Sequence, residues 1–439
     1  MNSQDHYPHP MELLRQLIRF DTTNPPGNEK ESILFLERML SRTGFDTTLL
    51  AREPERPNLI ARLKGEGRAA PLLMYGHLDV VTTSGQQWRF PPFEGVCADE
   101  CVWGRGALDM KGGIVMMVGA LLRLIRQRQR AAGDIVLALV SDEEAGGNQG
   151  ARFLVERHPE HFAGIRFAVG EFGGCSLPVE TKRLYPIMVA EKQICWMRAV
   201  IRGPAGHGSL PMRGGAVARL GRMLRQLDKA RLPVHIIPLV RDMVGVMAGM
   251  LPPLKRLLMK LLLRPALTDL VLELLGDKGR SFDPLLHNTV NATVLRGGET
   301  INVIPSEISV RLDGRLLPGF RPEDMLAELK KRLGNDVALE LERYDACPDR
   351  PDMTLFPLLA GILEEMDPLA VPAPMLLPGT TDGRHFSKLG IQTYGFLPMK
   401  LPKDFPFFSL IHAADERIPV SALEFGMEAV HRLLVRYPG

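Results

Sequence analysis

The chain is short of cysteine. Five in 439 residues (Cys97, Cys101, Cys175, Cys195 and Cys347) are odd in number and scattered. That excludes a disulfide framework and fits a reducing compartment, the cytoplasm. Cys97 and Cys101 stand four apart with no second Cys/His pair close by, which argues against a structural zinc there. Net charge is also scarce: 54 Lys and Arg against 51 Asp and Glu leave +3, no footing for nucleic acid. No uninterrupted apolar run reaches the ~18–20 residues that cross a bilayer. The nearest approach, Met243 to Leu263, is broken by Pro252-Pro253, Lys255-Arg256 and Lys260. Met1 to Pro10 is polar and lacks the apolar stretch of a secretory signal. Neither an internal repeat nor a low-complexity tract is visible.

What is present is the bulk of an ordinary globular protein, 45% hydrophobic and 24% charged, long enough for roughly two to three domains. Met11–Phe20 reads as an amphipathic helix. Asn28 is placed to cap a second helix through about Arg42. Strands follow near Thr47–Ala51, Leu59–Leu63 and Leu72–Tyr75. A helix then spans Met110 to about Arg130, and Ile135–Val140 is a fully apolar strand. This alternation predicts an α/β domain with a mixed, mostly parallel sheet. The texture changes after Glu191-Lys192. Strands near Met197–Ile201, Thr289–Val294, Glu307–Leu312 and Val337–Glu342, with helices at Gly215–Ala230 and Arg321–Leu333, make a smaller α+β unit. From Leu355 the alternating texture returns and ends in a helix, Ala422–Val435. The expected organisation is a catalytic domain from residues 1–191 and 351–439, with a second domain, 192–350, inserted between. Residues 236–275 stand out as Leu-, Met-, Val- and Pro-rich with basic residues between. They read as a helical excursion, packed on the inserted domain or a partner, or as an apolar lip toward a substrate or membrane surface.

Chemistry gathers where the apolar strands end. His77-Leu-Asp79, Asp109-Met-Lys111 and Ser141-Asp-Glu-Glu144 each follow a β-like run, which in an open α/β sheet is the ligand crevice. Any one of them alone reads as a solvated loop or a structural histidine. Together they suit a hydrolytic site with two divalent ions about 3.5–4 Å apart, bridged by one carboxylate. Asp109, on a glycine-rich turn, is placed to bridge. His77, Glu144, Glu171 and His412 are the further ligands, and Asp79 is placed to orient the His77 ring. Glu143 remains to carry the proton between water and leaving nitrogen.

Longer motifs carry a resemblance. Gly76-His-Leu-Asp-Val-Val81, Trp88–Phe93, Trp103-Gly-Arg-Gly-Ala-Leu-Asp-Met-Lys-Gly-Gly113 and Ser141–Glu144 resemble the M20 family of metallopeptidases and aminoacylases. Glu191-Lys192, Gly206-His-Gly-Ser209, Asn302-Val-Ile-Pro305 and Gly379–Arg384 extend the likeness over nearly the whole chain. The resemblance implies a zinc-peptidase-like catalytic domain with an inserted lid and dimerisation domain. It implies two Zn2+, with Co2+ or Mn2+ as alternatives. One ion would be held by His77, Asp109 and Glu171, the other by Asp109, Glu144 and His412. Glu143 would be the general base, with Asp79 behind His77. His207 of the lid would reach the partner subunit's site in a homodimer and stabilise an oxyanion. Asn302, Arg315 and Arg350 would contact substrate, and Gly379 and Thr380 would line the pocket. Arginine suits a carboxylate because its fork donates two parallel hydrogen bonds. The implied activity is cleavage of an amide beside a free carboxylate, in an N-acyl amino acid or, as the alternative, by a carboxypeptidase or dipeptidase on short peptides. A catalytically silent metal-dependent binding protein is the reading from another class. Two departures from the family pattern stand out. Glu100 occupies a turn position usually held by glycine, and the 236–275 segment is longer and more apolar than in short-lid deacetylases.

Overall fold

The computed structural model describes residues 9–229, 231–334 and 337–438. Most of the polar N-terminal stretch, and Ala230 at the expected end of one helix, lie outside the described residues. The chain divides into two compact units. The first takes the residues up to Val189 with Asp352–Met375 and Thr381 onward; the second takes Ala190–Pro351 with Leu376–Thr380.

The first unit is built on a mixed sheet. Its strand order is Asp46–Ala51, Pro57–Leu63, Ile135–Val140, Leu72–His77, Phe167–Gly170, Gln392–Gly395, Lys182–Glu191 and Ala370–Leu377. Leu72–His77, Ile135–Val140 and Phe167–Gly170 are buried along their whole length. Strands covered on both faces read as unbroken apolar runs, and such strands pair in parallel. Leu72 stands opposite both Ile135 and Phe167, and Gln392–Gly395 continues the parallel centre. Antiparallel strands flank it on either side. Parallel pairing brings the C-terminal ends of the central strands to one rim, so His77, Ser141–Glu144 and Glu171 follow one another along it.

Helix Lys111–Arg126 is buried over most of its length, and helix Val420–Arg436 packs on it. The first of these must start close behind the turn that carries Asp109. A Cβ on Gly112 would lie 2.3 Å from the Ala107 carbonyl oxygen, so glycine is required there. The first helix spans Pro10–Arg19, one residue earlier at each end than expected. The expected cap on the second is not made. That helix runs Lys30–Ser41 from Glu29, without a side-chain cap. Glu29 is instead buried against Arg56, and this pair, not Asn28, fixes the entry of the chain. Strand Lys182–Glu191 escapes the sequence reading because Pro186 interrupts it.

The second unit is a four-stranded antiparallel sheet in the order Thr289–Arg296, Glu307–Leu316, Gln193–Arg202 and Val337–Asp345. One face alternates inward, placing Cys195, Met197, Ala199, Ile201, Val310 and Leu312 in the core. Helices Ala216–Lys229 and Pro322–Leu333 lend Met223, Met325 and Leu329 to the same core. The excursion resolves into helices Pro238–Gly249, Pro253–Leu261 and Pro265–Leu275, each opened by proline, the position where its missing N–H costs nothing.

Candidate metal centre

Asp109 sits between two imidazoles. Its Oδ1 is 3.1 Å from His77 Nε2 and its Oδ2 is 3.1 Å from His412 Nε2. His412 Nε2 is also 3.3 Å from Glu144 Oε1. Ligand atoms of His77, Asp109 and Glu144 lie within 4.8 Å of one another, as do those of His77, Glu143 and Glu171. The structure therefore gathers His77, Asp109, Glu143, Glu144, Glu171 and His412 from five separate segments. It also sets Glu143 within ligand reach of His77, beside Glu171.

The donor set fits divalent cations. Buried Glu171 Oε2 has no hydrogen-bond partner, and Glu144 Oε1 has the His412 ring facing it at 3.3 Å; buried carboxylate oxygens are costly unless something positive faces them. Protons take up part of that role. Burial opposes charge on His77, but Asp109 and Asp79 outweigh it and hold the imidazole well above its usual range. Asp109 and then Glu144 push His412 up to about 10. Burial lifts Glu143 and Glu171 well above the ordinary carboxylate range, and Glu143 adds to the rise at Glu171. Oxygen and imidazole donors in this number are those of zinc, cobalt or manganese sites.

The supporting groups are as specific as the ligands. Asp79 does hold His77, but mainly through its main chain: His77 Nδ1 is 2.9 Å from the Asp79 carbonyl oxygen and 3.5 Å from its carboxylate. The carboxylate itself accepts the backbone N–H groups of Glu143 and Glu144, both at 3.1 Å, and the Asn24 amide at 2.8 Å. Asp79 thus aims the Glu143-Glu144 turn. Asp142, left-handed at φ 72°, is spent on structure, accepting from Asn24, Arg56 and Gln149. Glu416 does for Asp109 what Asp79 does for Glu143. It is fully buried, pairs with Arg105 at 2.7 Å and accepts the backbone N–H groups of Gly106, Leu108 and Asp109.

Three groups escaped the sequence reading. Buried Arg384 has its Nη1 3.9 Å from Oε1 of Glu143, whose side chain is 12% exposed. Asp382, buried and without a hydrogen-bond partner on either oxygen, is pushed up to about 7 by burial. Glu416 is the third. Arg384 and Asp382 lie inside the Gly379–Arg384 motif and Glu416 lies four residues after His412, so the signal was present and its assignment was not.

The remaining candidates belong to the second unit. His207 pairs with Val303 in a short ladder, and Gly208 N donates to the Asn302 carbonyl at 2.8 Å, so His207 and Asn302 are neighbours. The His207 ring is fixed by Ser209, Nδ1 to Oγ 2.7 Å. Arg315 lies 3.4 Å from Thr380, next to Gly379, and pairs with Asp313 at 2.7 Å. Asp313 also accepts the Trp196 indole N–H at 3.0 Å. Arg350 is exposed in the loop after the last strand and joins neither pair.

Comparison with known proteins gives a consistent neighbourhood. A family model described as peptidase family M20/M25/M40 matches residues 73–436. Aminoacylase-1 of Sus scrofa is 26% identical, covering 97% of this chain and 95% of that protein. N-fatty-acyl-amino acid synthase/hydrolase PM20D1 of Homo sapiens is 27% identical over 83% of this chain and 73% of its own length. A probable carboxypeptidase S-like 2 of Dictyostelium discoideum is 26% identical over 80% of this chain and 68% of its own. Among solved structures, the M20 metallo-carboxypeptidase Sso-CP2 from Sulfolobus solfataricus superposes with a TM-score of 0.68 at 17% identity, covering 98% of this chain and 100% of that one. The Bacillus subtilis YXEP protein, a dinuclear metal-binding peptidase of the M20 family, does so with a TM-score of 0.59 at 14% identity, over 98% and 97%.

Proposed function

The chain belongs to peptidase family M20/M25/M40 and is a metal-dependent amidohydrolase or peptidase; from that premise we propose that it hydrolyses N-acyl amino acids, cleaving the amide beside a free carboxylate. The observation that carries the reading is Asp109, one oxygen toward each imidazole, with the largely desolvated Glu143 alongside. We assign two ions to His77, Asp109 and Glu171 and to Asp109, Glu144 and His412, with zinc as the metal. Such ions, when bound, polarise the carbonyl and make water acidic enough to attack at neutral pH.

The rest is done by side chains. Glu143 takes the proton from the attacking water and returns it to the departing nitrogen. Burial favours its protonated form and so prepares the second of these steps. Arg384, 3.9 Å away, stabilises the charged form when the proton has left. We assign the substrate carboxylate to Arg315, whose guanidinium is held by Asp313, and oxyanion stabilisation to His207, whose ring Ser209 fixes. Asn302, Gly379 and Thr380 complete the substrate contacts, with Arg350 as a more distant one. The inserted unit is assigned to homodimer formation, read directly by sedimentation velocity. The five unpaired thiols support a cytoplasmic setting.

Relatives named for acyl-amino-acid chemistry favour the acyl reading. The carboxypeptidase-like relative keeps peptide hydrolysis as the second. The test is metal content on fresh protein, followed by a panel of N-acetyl, N-succinyl and long-chain N-acyl amino acids beside dipeptides, with and without chelator. Chelator-sensitive release of amino acid, fastest from an acyl substrate, is expected. Fastest release from dipeptides would favour the peptidase reading. No turnover after zinc or cobalt is restored would leave only a binding protein.

A further inference from the structure

Helix Pro253–Leu261 is amphipathic but turned outward. Leu254, Leu257, Leu258 and Leu261 recur at helical spacing along one side, while Met259 on the other side is its single buried residue. Leu254 is 73% and Leu257 54% exposed. The next helix, Pro265–Leu275, tucks Thr268, Val271 and Leu272 into the fold. It leaves Leu267, Leu270 and Leu274 outside, Leu274 at 70%. An apolar stripe normally faces a core. Here the inward positions already supply that core, and a second stripe remains at the surface of two consecutive, contacting helices.

Charge decides what covers it. From Met243 to Thr268 there are four basic residues, Lys255, Arg256, Lys260 and Arg264, and no acidic one. The acids further on are engaged within their own unit: Asp269 lies 3.8 Å from Arg231 and 3.2 Å from His287, and Glu273 lies 3.6 Å from Arg231. A second copy docked here about a two-fold axis would meet the same patch on itself, cation against cation. An anionic phospholipid surface satisfies both halves of the patch at once, leucines in the acyl boundary and cations at the headgroups. Spans of 9 and 11 residues rise only about 14 and 17 Å. These helices lie in an interface and do not cross it, and among the described residues none is long and apolar enough to do so.

We propose that helices Pro253–Leu261 and Pro265–Leu275 form a peripheral docking face for anionic phospholipid bilayers. The inference is independent of the substrate reading, because its readout is binding. The test is co-sedimentation of the full chain with phosphatidylcholine vesicles and with mixed phosphatidylcholine–phosphatidylglycerol vesicles, at low and high salt. Expected is binding to the mixed vesicles that weakens as salt rises. Replacing surface leucines (Leu254→Glu, Leu257→Glu and Leu274→Glu together) changes no buried residue and is expected to weaken binding at least about tenfold. Lys260→Glu with Arg264→Glu removes two cations worth roughly fivefold each, and is expected to abolish the preference for phosphatidylglycerol. Failure to bind mixed vesicles at low salt, or binding unchanged in both variants, overturns the proposal. So does a wild-type dimer that ignores vesicles and becomes a monomer in the leucine variant, which would make the occupant a second copy.

Discussion

The two imidazoles that flank Asp109 are held in opposite ways. His77 ends a buried central strand, its side chain 1% exposed, with its other nitrogen fixed by Asp79. His412 sits in a loop with a left-handed backbone, φ 62°, and its side chain is 50% exposed. The loop is steadied from outside: Gln86 donates to its carbonyl at 2.9 Å, and the strand that follows, Arg417–Pro419, pairs with Cys101–Trp103 of a hairpin. One side of the centre is preorganised by the sheet and dry; the other is assembled late in the chain and open to water. The comparison teaches that the two sides should differ in how activity and stability are coupled. On the His77 side they should fall together, and on the His412 side they should separate.

The largest effect should come from the group both sides serve. Glu143→Ala, with metals retained, is expected to cut kcat by about 10²–10⁴-fold; a variant as fast as wild type with both ions in place would break the mechanism. Glu416→Ala removes the acid beneath the Asp109 turn and strands Arg105. Breaking such a buried pair costs about 3–5 kcal/mol, to be read by denaturant unfolding together with lost metal. His77→Ala against His412→Ala is the direct comparison. Both are expected to lower bound metal. His77→Ala should also destabilise the metal-free protein by about 2–3 kcal/mol, because it leaves buried carboxylate without its partner. His412→Ala should stay within about 1 kcal/mol of wild type. Equal losses would erase the asymmetry.

Acid supplies a control away from both sides. Burial disfavours charge on Asp367, but Arg183 and Tyr185 outweigh it and hold its carboxyl down at about 2. A depressed pKa stabilises the fold above the unfolded value near 4, and that stability is lost as pH falls through about 2. Asp367→Asn should cost about 1–2 kcal/mol at neutral pH and flatten this acid limb, with metal content at pH 7 unchanged. The smallest effect sharpens the His412 side. Asp99 and Glu100 close the supporting hairpin with φ of 50° and 57°, the conformation glycine adopts without strain. Glu100→Gly should raise stability by about 0.5–1 kcal/mol, measured by thermal unfolding.

The sequence and the structure part company in an instructive place. The rim was legible because apolar strands are self-announcing: Ile135–Val140 stops abruptly at Ser141, and the carboxylates follow within four residues. The excursion was legible as a helical one from its composition, but its division into three proline-opened helices was not. What escaped were roles that exist only through distant partners. Glu416 is one acid among many until three amides of residues 106–109 point at it. Asp79 looked like a ring orienter because Glu143 and Glu144, which its carboxylate aims, lie more than sixty residues on. Asn28 had the chemistry of a cap, but the ion pair of Glu29 with Arg56 decided where the helix begins. Local pattern finds the elements and their ends; long-range pairing decides what each polar group does there.

The parallel centre of the sheet also sets a timetable. Gln392–Gly395 lies in the middle, between Phe167–Gly170 and Lys182–Glu191, yet it is among the last strands to be translated. Until the ribosome has passed it, the strand ending at Gly170 has an unpaired edge. His412 then emerges after every other proposed ligand. A nascent chain can therefore build the His77 side well before it can complete the second. For this fold, a chain terminated before Gln392 forfeits both sheet closure and the last of the proposed ligands, so such products should be prime clients for chaperones and proteases.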